Sequence, residues 1–337
     1  MISKEFLSTI NLPFEKFANQ NILITGANGM IASTLAELLY ALDEEHGLGL
    51  NIYCLSRNKD RAEKRFRDYL YKNNFHLVID DVVNSLDTGI DYKYIFHVAS
   101  SANPDAFNNY PVDVMKANFI GTMNMLEYAR TKKDCRVVFV SSSEVYGENF
   151  EERESFDEDT LSSIDYFRFR ACYPESKRAS ETLCKCYEKQ YGVDAVIVRP
   201  AFIYGKDIID DNNRADVYFL RKALNKENIV MYSEGKQVRS YCYVNDCVSA
   251  FLYVALLGET GEAYNIGNED CVVTMKEYAQ KVADYGKVKL IYEPESAPEN
   301  KIFLKTTKLI LNTSKLRKLG WNPVYDLGEG MKEIFEG

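Results

Sequence analysis

Residues 21–32, Asn21-Ile-Leu-Ile-Thr25-Gly26-Ala-Asn28-Gly29-Met30-Ile31-Ala32, decide the fold. The run 21–25 is short, apolar and β-branched and reads as a buried strand. From 30 to 42 the apolar residues Ile31, Leu35, Leu38, Leu39 and Leu42 recur at helical spacing. The turn between them is Gly-x-x-Gly-x-x-Ala. Gly26 permits the tight turn, Gly29 lets backbone approach an anion at the positive helix end, and the Ala32 methyl allows close helix–strand packing. Two glycines alone are weak evidence. In the first strand-to-helix turn of an alternating chain they predict a dinucleotide site built on Gly26, Asn28, Gly29, Met30 and Ile31.

Outward from this turn the alternation continues. Further strands are predicted at 52–55, 76–79, 94–98, 136–140 and 195–198, with helices at 112–130 and 176–191. Near-continuous apolar strands separated by helices predict an α/β chain, a Rossmann-type doubly wound parallel sheet covered on both faces. After Pro200 the rhythm changes, with polar loops at 206–214, 233–236 and 293–300. The expected division is a main NAD(P)-binding domain over 1–200 and a smaller substrate-binding lobe over 201–337. Segments at about 240–267 return to the main domain. Residues 1–20 form an extension whose Phe6, Leu7, Phe14 and Phe17 pack on it.

Composition narrows the partners. The chain has 337 residues, a formal net charge of −9 and a pI near 5.1, with no basic run, so it repels phosphate backbones and no nucleic-acid partner is expected. Its 13% aromatic content argues against disorder. Cys184 and Cys186, and Cys242 and Cys247, have poor zinc-ligand spacing, and His46, His76 and His97 are scattered, so no metal is expected. The start, MISKEFLSTINLPFEKF, has no continuous apolar stretch. Neither a signal peptide nor a membrane anchor is expected, and reduced thiols suit a cytoplasmic location.

The second strand ends Leu55-Ser56-Arg57-Asn58 rather than in the carboxylate that grips the ribose of NAD. Ser56 and Arg57 would accommodate a 2′-phosphate, which tilts the expectation towards NADP and leaves NAD open. Asp81, with Val82 beside it, closes the third strand and is placed to reach the adenine. Downstream come Ser141-Ser142-Ser143-Glu144-Val-Tyr-Gly147 after a strand, Tyr173-Pro-Glu-Ser-Lys177 entering a helix, and Arg199-Pro after the next strand. Tyr173 and Lys177, four apart, share a helix face. Bringing a phenol from ~10 to ~6–7 takes about 4–5 kcal/mol of phenolate stabilisation. The expected sources are the Lys177 ammonium and the nicotinamide's positive charge. Ser142 would hydrogen-bond the same substrate hydroxyl, and Tyr173 would take its proton as hydride leaves.

With these motifs in place the chain resembles the extended short-chain dehydrogenases/reductases of the NAD-dependent epimerase/dehydratase group. The likeness includes His97-Val98-Ala99-Ser, Asn118 in Lys-Ala-Asn-Phe-Ile-Gly-Thr, Arg239-Ser-Tyr-Cys-Tyr-Val, Tyr264-Asn-Ile-Gly267 and Leu319-Gly-Trp-Asn-Pro323. It implies a seven-stranded sheet, cofactor contacts at Val98, Ala99, Asn118, Tyr173 and Lys177, a nucleotide-sugar substrate, and a homodimer bundled through helices 112–130 and 176–191. A place in polysaccharide biosynthesis is implied by the family alone. Glu144 resembles the carboxylate of UDP-glucuronate decarboxylases and sugar-nucleotide 4,6-dehydratases, and is expected to remove the C5 proton once C4 is a ketone. Arg170-Ala-Cys-Tyr173 through Lys177-Arg178 is similar to the decarboxylases. Ser143, Arg170, Arg178, Phe202 and Arg239 are the expected substrate side, the arginines holding a carboxylate or diphosphate. Departures are Phe202 where the group has an asparagine, and Pro298-Glu-Asn-Lys301 where it has Arg-Pro-Gly-Asp. A 4-epimerase, and a catalytically silent NAD(P)-binding sensor or scaffold, stand as alternatives.

Overall fold

A computed structural model describes residues 2–149, 152–161, 163–206, 212–294 and 308–337. The segment Pro298–Lys301, and parts of the loops expected at 206–214 and 293–300, lie outside the described residues.

Strands β1 (Asn21–Thr25), β2 (Asn51–Ser56), β3 (Phe75–Ile79), β4 (Tyr92–His97), β5 (Arg136–Val140) and β6 (Asp194–Pro200) fall where the apolar runs predicted them. Val98 lies just beyond β4. A short edge strand, Ala263–Ile266, completes a seven-stranded parallel sheet in the order edge strand, β6, β5, β4, β1, β2, β3. The chain reverses direction of winding at β1, between β2 and β4. That leaves a crevice beyond the carboxyl ends of β1 and β4, the ligand position of such sheets.

The strands alternate, yet both faces are buried. Ile22, Ile24, Val138 and Val140 face one core with Leu35, Leu38, Leu39 and Leu42 of helix Met30–His46 and with helix Val244–Leu257, buried along all but its last residue. Leu23, Val137, Phe139 and Ile197 face the other, under Met125 and Leu126 of helix Pro111–Thr131 and Cys184 of helix Cys172–Tyr191. Each such side chain contributes about 1.5–3 kcal/mol on burial, which is why the core and not local propensity fixes these elements. Helix Cys172–Tyr191 begins four residues earlier than the 176–191 expected, so Tyr173 sits in its first turn. Phe6 and Phe17 of the leading segment are buried against the first core.

Four more strands form a small second sheet: Phe202–Tyr204 and Lys308–Leu309 pair parallel with Val238–Tyr243, and Val272–Thr274 pairs antiparallel with it. Among the described residues no helix is long and apolar enough to cross a membrane.

At the winding reversal the packing tolerates no side chain. Gly26 has φ +69°, and a Cβ built there would lie 2.6 Å from the Cα of Ala99 and 2.9 Å from its nitrogen. Gly26→Ala should therefore cost about 2–4 kcal/mol, from a left-handed L-residue and overpacking together. Urea unfolding measures it; a loss under 1 kcal/mol (about 1, the ordinary effect of a point change) would contradict this close approach.

Candidate active site

The crevice is built first by a hydroxyl. Thr25 Oγ1, at the end of β1, accepts the N–H groups of Val98 and Ala99, both at 3.1 Å, and pairs with His97 Nδ1 at 2.8 Å. This holds the loop after β4 against Gly26. The Gly29 N–H closes the turn on the Gly26 carbonyl at 2.9 Å. Gly29 caps helix Met30–His46 without a side-chain hydrogen bond, so the first N–H groups, at Met30 and Ile31, and the positive helix end are left for an anion. Asn28 Nδ2 donates to Ser56 Oγ at 2.6 Å, tying the turn to the end of β2. Among the described residues, Asn28 Oδ1 of this turn, Ser100 Oγ and Ser141 Oγ just beyond β4 and β5, and Asn118 Oδ1 are buried oxygens without a hydrogen-bond partner. Each such orphan costs about 1–3 kcal/mol, so the set fits a polar ligand such as a dinucleotide.

Arg57 and Asp81, expected to meet separate parts of a cofactor, instead meet each other. Arg57 Nη1 lies 3.5 Å from Asp81 Oδ2. The cause is register: β2 and β3 pair in parallel up to Ser56 and Ile79, which brings the two strand exits side by side. Val82 is buried against helix Pro111–Thr131 in the second core. Asn118 is wholly buried and donates to Ser176 Oγ at 2.8 Å, while that hydroxyl donates to the Tyr173 carbonyl at 2.9 Å. This relay fixes the first turn of the helix that carries Tyr173.

Beyond β5 the chain makes a single 3-10 turn, Ser143–Tyr146, capped by Ser142, whose Oγ accepts the Glu144 N–H at 3.2 Å. The same Ser142 side chain is near enough to the Tyr173 phenol to favour its ionised form. Ser143 is buried. Lys177 is 2% exposed, and its Nζ donates to the carbonyl of Val140 at 2.6 Å and lies 5.9 Å from the Tyr173 ring centre. Ser142, Tyr173 and Lys177 thus come together as expected from their motifs.

Their electrostatics differ from expectation. Burial pushes the Tyr173 phenol up to about 12, with Glu144 adding to the rise and Ser142, Arg214 and Arg170 opposing it. Burial pulls the Lys177 ammonium down to about 7, against the pull of Glu181. The protein alone therefore holds the phenol neutral, because desolvation of an anion outweighs the donors nearby.

Glu144 and Arg170, read as a base and a substrate anchor, are partners. Arg170 Nη2 is 2.9 and 3.1 Å from the two carboxylate oxygens. The guanidinium lies 4.2 Å over the Phe107 ring, and that ring is 5.0 Å from the Tyr173 ring. Arg178 is not brought to this group. It lies about 140° round the helix from Tyr173, within 3.6 Å of Glu175, and lines a separate cavity of about 950 Å³ with Asp157, Glu158, Glu181 and Lys315. Arg239 stacks at 4.2 Å on Phe202, which occupies the small sheet.

Two contributors carried no sequence signal. Arg214, held by Asp216 at 2.6 Å, is near enough to act on the Tyr173 phenol, and Arg239 acts on the same aspartate. Arg214 lies in a polar loop with no motif around it. Phe107 belongs to a one-turn-and-a-half helix, Pro104–Asn109, whose packing against Tyr173 nothing in the spacing announces.

The family model described as the NAD dependent epimerase/dehydratase family matches residues 22–267. UDP-glucuronic acid decarboxylase 1 of Xenopus tropicalis is 31% identical over 319 residues, covering 93% of this chain and 71% of that protein. UDP-glucuronic acid decarboxylase 6 of Arabidopsis thaliana is likewise 31% identical, covering 93% and 87%. The crystal structure of UDP-glucuronic acid 4-epimerase from Bacillus cereus, in complex with UDP-glucuronic acid and NAD, superposes with a TM-score of 0.79 at 19% identity, over 94% of this chain and 98% of that one.

The phenol's state is measurable. The tyrosinate absorbance of the cofactor-free chain, minus that of Tyr173→Phe, should show no ionisation up to the ordinary tyrosine value of 10. Saturation with oxidised nicotinamide cofactor should bring an ionisation below it. A neutral-range ionisation without cofactor would mean that the side chains suffice.

Proposed function

The chain belongs to the NAD-dependent epimerase/dehydratase family, and from that premise we propose that it oxidises C4 of a UDP-sugar uronate and releases the C6 carboxylate as carbon dioxide. The observation that carries this reading is Tyr173 held between Ser142 and Lys177, with Glu144 and Arg170 at its side. The curated relatives named UDP-glucuronic acid decarboxylase support the substrate.

NAD is the proposed cofactor. Gly26, Asn28, Gly29, Ser56 and Asn118 would hold it, and Arg57, already opposed by Asp81 at 3.5 Å, offers a 2′-phosphate an occupied partner. When bound, NAD supplies the hydride acceptor and a positive charge. Ser142 and Tyr173 bind the C4 hydroxyl, and Tyr173 takes its proton while Lys177 stands behind it on the Val140 carbonyl. The C4 ketone makes the sugar a β-keto acid. Its C5–C6 bond breaks, the electron pair enters the C4–C5 enolate, a proton returns to C5 from the side of Glu144, and Tyr173 gives its proton back to the C4 oxygen as the hydride returns to C4, leaving a UDP-pentose. Arg214, paired with Asp216, and Arg239, stacked on Phe202, would hold the diphosphate. Dehydration across C5 and C6 would need Glu144 as a free base, but Arg170 holds both its oxygens, which favours decarboxylation.

The second copy of a homodimer would cover Val112, Met115 and Phe119, an exposed apolar stripe at helical spacing on Pro111–Thr131. A cytoplasmic location is proposed with it.

Incubated with NAD and UDP-glucuronic acid, the chain should release carbon dioxide and a UDP-pentose. Tyr173→Phe should lower kcat by about 10²–10⁴ with the fold intact by circular dichroism. A 4-keto-6-deoxy or C4-inverted product would refute the assignment. In sedimentation, Met115→Glu with Phe119→Glu should give monomers from a dimeric parent; a parent that sediments as a monomer, or a dimer that survives both changes, sets the stripe aside.

A further inference from the structure

Resting on that functional reading, we propose that Arg170 and Glu144 form a latch which only a carboxylate-bearing nucleotide-sugar opens, so that Arg170 selects a uronate over a neutral hexose. Arg170 Nη2 spans both Glu144 oxygens at 2.9 and 3.1 Å, and among the described residues no other nitrogen of that guanidinium is hydrogen-bonded. The pair is neither solvent-washed nor sealed: the two side chains are 22% and 24% exposed, so a ligand reaches them and water screens them weakly. The guanidinium rests on Phe107, itself 3% exposed, whose ring is fixed against Tyr173. Sliding on this flat platform moves the fork without dismantling the site.

The chemistry follows from charge and lone pairs. A substrate carboxylate entering beside Glu144 brings a second negative charge into a partly desolvated space. Two carboxylates cannot share it without a cation between them. Arg170 has a planar set of five N–H donors, enough to serve both, and its unused edge meets the newcomer. As the guanidinium turns to the substrate, a Glu144 oxygen is released and is free to take a proton from solvent and pass it to C5 once the C5–C6 bond has broken. A neutral C6 hydroxymethyl group brings no charge to compete. Glu144 then stays held on both oxygens, and the site binds the sugar without engaging its second acid–base group. Arg170 acts here as a specificity-determining residue, set by the ligand rather than by the resting fold.

The NAD-loaded chain, carrying Tyr173→Phe so that it binds with turnover suppressed and titrated calorimetrically with UDP-glucuronic acid and with UDP-glucose, tests the latch. Arg170→Gln should weaken UDP-glucuronic acid by about 10- to 100-fold, the value of a charge-assisted pair, and leave UDP-glucose unchanged. Arg170→Lys should recover part of the loss, since the charge remains and the fork is gone. Glu144→Gln should tighten UDP-glucuronic acid by removing the internal competitor, and should do so only while Arg170 is present. Thermal midpoints with NAD verify that the variants fold. Equal losses for both ligands in Arg170→Gln, or a Glu144→Gln gain that persists in the double variant, would overturn the latch, the second outcome leaving simple repulsion as the cause. A parent chain that decarboxylates UDP-glucuronic acid yet discriminates as well without Arg170 sinks the latch alone. A parent chain that neither binds nor decarboxylates it removes the functional reading as well.

Discussion

Lys177 carries an ammonium group into a place without water, and there the carbonyl of Val140 meets it at 2.6 Å. Much else is set by this contact. Val140 is the last residue of β5, so the lysine fastens helix Cys172–Tyr191 to the strand end that leads into Ser142 and Glu144. The spacing between phenol and serine hydroxyl is thereby a property of sheet and helix packing rather than of a loop. A buried cation with one carbonyl remains costly, which is why its ammonium is pulled down to about 7.

The same dryness acts in the opposite sense on Tyr173, and the two shifts explain each other. A medium that disfavours charge raises the phenol and lowers the ammonium. Chemistry at neutral pH then depends on a charge arriving from outside the chain. An enzyme so arranged is quiet until loaded, since its phenol alone is not in the state that takes a proton from a sugar.

How much of this was legible depended on whether a residue acts through its own segment or through a neighbour's. Strand β1, its glycine turn and the helix after it were readable because period and turn chemistry are local. Tyr173 and Lys177 were readable because four residues on a helix fix a common face. Arg57 with Asp81, and Glu144 with Arg170, were each visible as charged residues in the right region. Their mutual pairing was not, because it is set by strand register in one case and by the 3-10 turn meeting the helix entry in the other. Arg214 and Phe107 reach the site from segments whose own pattern announces nothing. Arg178 shares a motif with Tyr173 and Lys177 but not their helix face, a separation that linear spacing alone fixes.

Thr25 shows how narrow the choice of residue becomes where sheet and site meet. As the last residue of β1 it faces a neighbouring strand that has just ended, and one oxygen there satisfies two backbone amides and an imidazole. Valine has the right shape and no lone pair. Serine has the lone pair but lacks the second branch that keeps a strand residue in one rotamer. Of the genetic code's alphabet, threonine alone answers both demands, so drift at this position is confined by stereochemistry even though the side chain transfers no proton and would touch no sugar.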